Sequence, residues 1–196
     1  MRRFAAHVST LAALLGASLA SQAAPATAAA PTPKSKLIVP ATSIGGVKLG
    51  HSYRKAVRLW GPGSTCGAED AEYRERTGQV LDRKRFSGDC QWFVNDVDAA
   101  AGAGRIRFAD GKVLEISLLA AQNADREPTG RGPIARLKTK PGQIHTGSKA
   151  SAVRKAFPDA QSTLSGVAVF TKDRMLTFGL ASGKVGGIAL LYTRNY

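Results

Sequence analysis

Histidine and cysteine are nearly absent from this chain: 196 residues hold three of the first and two of the second. That excludes zinc-finger and iron–sulfur frameworks, which need clustered sets of such ligands. Aromatic residues make up only 7%. Acid is short as well, with 14 Asp and Glu against 28 Lys and Arg, for a net charge of +14. Beyond residue 30 no apolar run approaches the ~20 residues that a membrane-spanning helix needs. The motifs G-x-S-x-G, H-E-x-x-H and the P-loop are missing, as is a G-x-G-x-x-G between strand and helix. What is present, 43% hydrophobic and 21% charged, can bury a core and is not the composition of a disordered chain.

Residues 1–30 read as a secretory signal peptide. Arg2 and Arg3 supply the basic start, residues 4–20 are apolar or small, and Ser21-Gln22-Ala23 and Ala28-Ala29-Ala30 offer small-residue cleavage sites. His7, Ser9, Thr10 and Gly16 interrupt the apolar stretch, which argues against a transmembrane anchor. No cysteine lies nearby to carry a lipid. Removing the peptide takes two positive charges and leaves +12. Pro31 and Pro33 then mark a flexible leader over 31–42. The mature chain is expected outside the cytoplasm, secreted or periplasmic. In that oxidising setting Cys66 and Cys90 are expected to pair, closing a loop of about 25 residues and stabilising the fold by ~3–4 kcal/mol.

The remainder repeats itself. Residues 47–62 match residues 144–158 at an offset of 97: Gly50 falls opposite Gly147, Ala56 opposite Val153 and Trp60 opposite Phe157. Each copy reads as turn, helix and stop. Ser52 and Ser148 are the expected N-caps, Ala56/Leu59/Trp60 and Val153/Ala156/Phe157 the apolar stripes, and Gly61-Pro62 and Pro158 the terminators. A second match has an offset of 72. Phe108-Ala109-Asp110-Gly111-Lys112-Val113 answers Leu180-Ala181-Ser182-Gly183-Lys184-Val185. Asp110-Gly111 and Ser182-Gly183 are hairpin turns between alternating strands. The offsets differ by 25, so the first copy carries an insertion with both cysteines, expected to be polar and rich in loops. The predicted class is α+β. Two tandem helix-plus-antiparallel-sheet repeats form one curved sheet with the helices on one face. The first repeat covers 43–121 with its disulfide-pinned insertion, a linker 122–140, and the second repeat 141–196.

The run I/V-x-x-G-x-S-x-x-x-(A/V)-x-x-L-φ-G-x-P followed by D-G-K-V resembles the β-lactamase inhibitory protein-like fold, over about residues 43–118 and 141–192. Small outer-membrane-assembly lipoproteins carry single copies of a similar unit. The resemblance implies a helix pair and a four-stranded sheet per repeat, and a concave face that binds protein. It would also place a cysteine pair in each repeat, whereas the second repeat here has none.

Chemistry that converges on a catalytic set is hard to find. His51 and His145 flank Gly50 and Gly147 and read as turn residues; a small secreted hydrolase using either one is an alternative. Asp96 and Asp98 faintly suggest a calcium loop, but residues 99–104 offer no further ligands. The expectation is therefore a protein that is not an enzyme and that uses no metal or cofactor. Charge points elsewhere. Residues 31–68 hold six basic and no acidic residues, and residues 128–196 hold eleven basic and two acidic. Such a domain attracts polyanions, with Arg54, Arg58, Lys149 and Arg154 on the helices as the expected contacts. Export argues against nucleic acid.

Strand parity defines a more specific patch. If Ile106 and Phe108 face the helices, Arg105 and Arg107 face outward, joined by Glu115, Ser117 and Thr177. If Cys90 and Trp92 turn inward, Phe93 turns outward, with Phe170 in the matching place of the second copy. The leading expectation is a secreted binding module that uses this open face to recognise a protein or anionic polymer of the cell envelope. General polyanion binding and inhibition of a secreted enzyme such as a β-lactamase are the alternatives.

Overall fold

The structure, a computed structural model, describes residues 31–93, 102–130 and 134–193. The expected signal peptide and the Asp96/Asp98 loop lie outside the described residues. From Pro31 the chain is held in place, in contrast to the flexible leader expected there. Thr32 N–H donates to Trp60 O at 2.9 Å and Lys34 N–H to Leu59 O at 3.0 Å. Strands β1 (Leu37–Val39), β2 (Ser43–Ile44) and β3 (Val47–Lys48) follow as a small meander. Ile38, Ile44 and Val47 are fully buried in it. Those three apolar side chains hold the segment down and explain why its prolines do not leave it loose.

Helix α1 (Tyr53–Trp60) buries Tyr53, Ala56 and Trp60, one stripe at i, i+3 and i+7. Ser52 is its N-cap by position, yet its side chain makes no capping hydrogen bond. Gly61 ends it at φ 94°, a conformation that suits glycine. The insertion is not loop throughout, because α2 (Thr65–Thr77) occupies 13 residues of it. Its sequence has almost no apolar stripe and only Cys66 is buried, so periodicity gives no sign of it. Local signals hold it instead. The Ser64 hydroxyl accepts the Gly67 N–H at 3.0 Å, and Gly78 closes the helix in the left-handed conformation. Cys66 bonds to Cys90, as expected. Arg83 clamps the outer turn of α2: its Nε donates to Asp70 at 2.8 Å and its Nη2 to Glu69 at 2.9 Å. Tyr53 Oη donates to the other Asp70 oxygen at 2.6 Å. Burial, then that hydrogen bond, raises the Tyr53 pKa and keeps the phenol protonated.

The body of the protein is one seven-stranded antiparallel sheet. In chain order β4 (Gly88–Phe93), β5 (Ala103–Ala109) and β6 (Lys112–Leu119) come first. Two short strands, β7 (Ala121–Gln122) and β8 (Pro128–Thr129), pair with each other. The stretch expected as an exposed linker then enters the core. Ile134 and Ala135 of a 3-10 turn and Leu137 are buried, and β9 (Lys138–Thr139) pairs in parallel with β1. Helix α3 (Ala150–Ala156) precedes β10 (Gln161–Thr163), β11 (Gly166–Phe170), β12 (Arg174–Ala181) and β13 (Lys184–Tyr192). The N-cap of α3 is Lys149, not Ser148, whose hydroxyl accepts the His145 N–H at 3.0 Å inside the preceding turn. Strand order is β10-β11-β12-β13-β6-β5-β4.

The β6–β13 junction has a symmetric register. Ser117 pairs with Ala189, flanked by Ile116 with Leu190 and Leu118 with Ile188. An offset of 72 exchanges the two flanking pairs and maps Ser117 onto Ala189. Both hairpins turn through positive-φ pairs, Asp110-Gly111 and Ser182-Gly183. Both slip register one step before those turns, at Arg107/Phe108 and at Gly179/Leu180. The helix entrances match as well. Gly50 N–H donates to Val113 O, and Gly147 N–H to Val185 O, each at 2.7 Å. Val113 N–H returns to His51 O, and Val185 N–H to Ser148 O, each at 2.8 Å. Among the described residues the first half has two helices and three strands of this sheet, and the second one helix and four strands. Neither has the helix pair and four strands together that the resemblance implies.

The helices pack on one face. Trp60 meets Trp92 edge-to-face at 5.3 Å, Tyr53 meets Phe108 at 5.4 Å and Phe157 meets Phe178 at 5.3 Å. The Trp pair contributes about 0.5–1.5 kcal/mol beyond the area it buries. One apolar cluster runs from Ile38 through both halves to Leu190.

Candidate binding face

The side chains that alternate away from this core lie in three rows across the strands. The middle row is Gln91, Arg105, Ser117, Ala189, Thr177 and Ala168. On one side of it run Asp89, Arg107, Glu115, Leu191, Met175 and Phe170. On the other side run Phe93, Ala103, Leu119, Gly187, Gly179 and Gly166. All seven residues picked out by parity therefore share this face: Phe93, Arg105, Arg107, Glu115, Ser117, Phe170 and Thr177. The register slip at Arg107/Phe108 falls beyond them and does not invert the set. Phe93 pairs with Ala103 and Phe170 with Met175, so the two phenylalanines sit at opposite corners.

The arginines differ from the expected basic anchors in one respect: they are neutralised where they stand. Arg105 reaches Glu115 at 3.0 Å and Asp89 at 3.7 Å. Arg107 reaches Asp89 at 3.1 Å and Glu115 at 3.5 Å. Two cations and two anions thus form a closed quartet, and Arg105 Nε also donates to the Ser117 hydroxyl at 3.4 Å. The pairs are half-buried and still reach solvent, so each is worth about 1 kcal/mol or less, and the quartet organises the surface more than it stabilises the fold. Asp89 is the participant that parity reasoning missed. The signal was available, since Asp89 and Gln91 must point outward once Cys90 and Trp92 point inward. Leu119, 55% exposed, and Phe170, 44% exposed, supply apolar surface elsewhere on the same face, Phe170 three strands from Glu115.

The residues considered for polyanion binding are elsewhere. Arg54 and Arg58 are exposed on α1; Lys149 and Arg154 are exposed at α3, where Arg154 donates to the Ser162 hydroxyl at 3.3 Å. The two histidines stay in separate turns. Lys48 N–H donates to His51 Nδ1 at 3.2 Å, and His145 Nδ1 lies 2.6 Å from Thr146 O. Burial, then Lys55 and Lys48, lowers the His51 pKa from its ordinary 6.5. No described helix is long and apolar enough to cross a membrane.

No protein-family model matches the chain, and no curated protein matches it. One solved structure does: an extracellular protein containing an SCP domain from Bacillus anthracis str. Ames, at 13% identity and a TM-score of 0.40, over 75% of this chain. The match covers 45% of that protein, so this chain spans less than half of its length.

Proposed function

We propose that this protein is a non-enzymatic binding module that works outside the cytoplasm and recognises a protein at the cell envelope through the outer face of its sheet. The carrying observation is the single face shared by Arg105, Arg107, Glu115, Ser117, Thr177, Phe93 and Phe170. A balanced quartet on the same face as exposed apolar side chains suits a protein partner, which can exchange ion pairs at one end and cover Leu119 and Phe170 across the rest. The cystine supports an oxidising compartment. The matched hydrogen bonds and symmetric register support a duplicated unit; the β-lactamase inhibitory protein-like reading rests on the sequence resemblance alone. On that reading a secreted enzyme is one partner to test.

The experiment offers immobilised protein its own organism's envelope extract and culture fluid, at low and high salt, with a β-lactamase inhibition assay alongside. A protein held at high salt should bind at least about tenfold more weakly to an Arg105→Glu, Phe170→Ala variant whose circular dichroism is unchanged. Unchanged affinity overturns the face. General polyanion binding is the second reading, favoured by the one-sided charge of 128–196 and by the exposed Arg54, Arg58, Lys149 and Arg154. There, polyphosphate affinity should fall steeply with salt, and neutralising those four should abolish it.

A further inference from the structure

We propose that the cleft between α1 and residues 80–84 binds a small amphipathic organic anion: an apolar body carrying one carboxylate, phosphate or sulfonate group. The cleft has a volume of about 600 Å³, which falls within the roughly 300–1,000 Å³ usual for small-molecule sites. It exists because of the insertion. The first half places α2 and the Val80–Lys84 stretch across the start of α1, and the second half has no equivalent segment.

Its lining has two characters. Tyr53, Val57 and Leu81 are buried or half-buried and form an apolar floor. Val80 also lines it and is 75% exposed, so a ligand that covered this side chain would gain by removing it from water. Arg54, Lys84 and Lys112 are the exposed lining cations, and none of them pairs with an acid among the described residues. The acids of the lining are already engaged. Asp70 takes hydrogen bonds from Tyr53 Oη and Arg83 Nε, and Asp82 accepts the Lys84 backbone N–H at 2.9 Å. Four lining cations face two lining acids, so a cationic ligand is repelled. A neutral ligand leaves Arg54, Lys84 and Lys112 unused. An anion with an apolar body uses both parts.

The test uses 8-anilinonaphthalene-1-sulfonate as the anionic probe and N-phenyl-1-naphthylamine as a neutral probe with the same ring system, titrated into the folded protein by fluorescence. The sulfonate should saturate at one equivalent and bind at least about tenfold more tightly than the amine. Lys112→Glu should weaken it about tenfold, and Val80→Asp should do the same from an exposed position that folding tolerates. Lys172→Glu, an exposed lysine in the β11–β12 connection, is the control for net charge and should change little. Near-ultraviolet circular dichroism verifies that each variant is folded. No saturable signal, equal affinity for the two probes, or equal weakening by Lys112→Glu and Lys172→Glu would each overturn the site.

Discussion

The two halves of the sheet share a backbone pattern and diverge at their outer corners. The 72-residue offset carries Arg107 onto Gly179 and Glu115 onto Gly187. The place Asp89 takes beside Arg107 is taken by Gly166 beside Gly179. One corner is a charged quartet; the other is bare backbone next to Leu119. The hydrogen bonds from helix entrance to hairpin agree to within about a tenth of an ångström on the two sides. The comparison separates what builds the unit from what varies on it. Backbone pairing and the inward side chains set the architecture, while the outward side chains are free to differ.

The halves also differ in how they are secured, and the predictions follow that difference. The largest effect belongs to what they share. Phe178→Ala in the second half should cost about 3–5 kcal/mol, as should Trp92→Ala in the first. Because one cluster spans both, each variant should still unfold in a single transition by urea denaturation; two transitions would make the halves independent. Next comes the disulfide, which only the first half has. Replacing Cys66 and Cys90 with serine should cost about 3 kcal/mol in the chain-entropy account. Hydrogen exchange should accelerate in α2 and β4 more than in β12 and β13.

The corners themselves give smaller effects. A Cβ at Gly179 would find its nearest neighbours at 3.9 Å, so Gly179→Ala should stabilise by about 0.5–1 kcal/mol through the unfolded state. A double-mutant cycle on Arg107 and Glu115 should return about 0.5 kcal/mol at low salt and less at high salt. His51 gives the smallest effect. Its pKa is held below 6.5, so the folded chain binds fewer protons than the unfolded one in the window just beneath that value. The stability His51 contributes is full above pH 6.5 and is lost as pH falls toward the folded pKa. A two-dimensional NMR titration should find the depressed value, and Lys55→Gln should raise it.

Much of this architecture was legible because alternation and turn residues are local signals. Ile106, Phe108, Ile116 and Phe178 announce their strands and their inward face, and Asp110-Gly111 and Ser182-Gly183 announce the hairpins. Helix α2 was illegible to periodicity because the disulfide and Arg83 hold it, in place of an apolar stripe. The segment 31–42 looked loose because its prolines are visible in sequence, whereas its hydrogen bonds to the end of α1 are not. Ser148 looked like a cap by analogy with Ser52, yet its hydroxyl is engaged by His145 N–H. On the outer face parity grouped the seven residues it named but passed over Asp89. The quartet's neutrality stayed hidden because Asp89 meets Arg105 and Arg107 only across a strand pair.

The most direct measurement follows arginine Nε–H resonances as a retained envelope partner is added. Shifts at Arg105 and Arg107, with Arg54, Arg58 and Arg154 unmoved, are the expected result. Shifts confined to Arg54, Arg58 and Arg154 would contradict recognition through the sheet face.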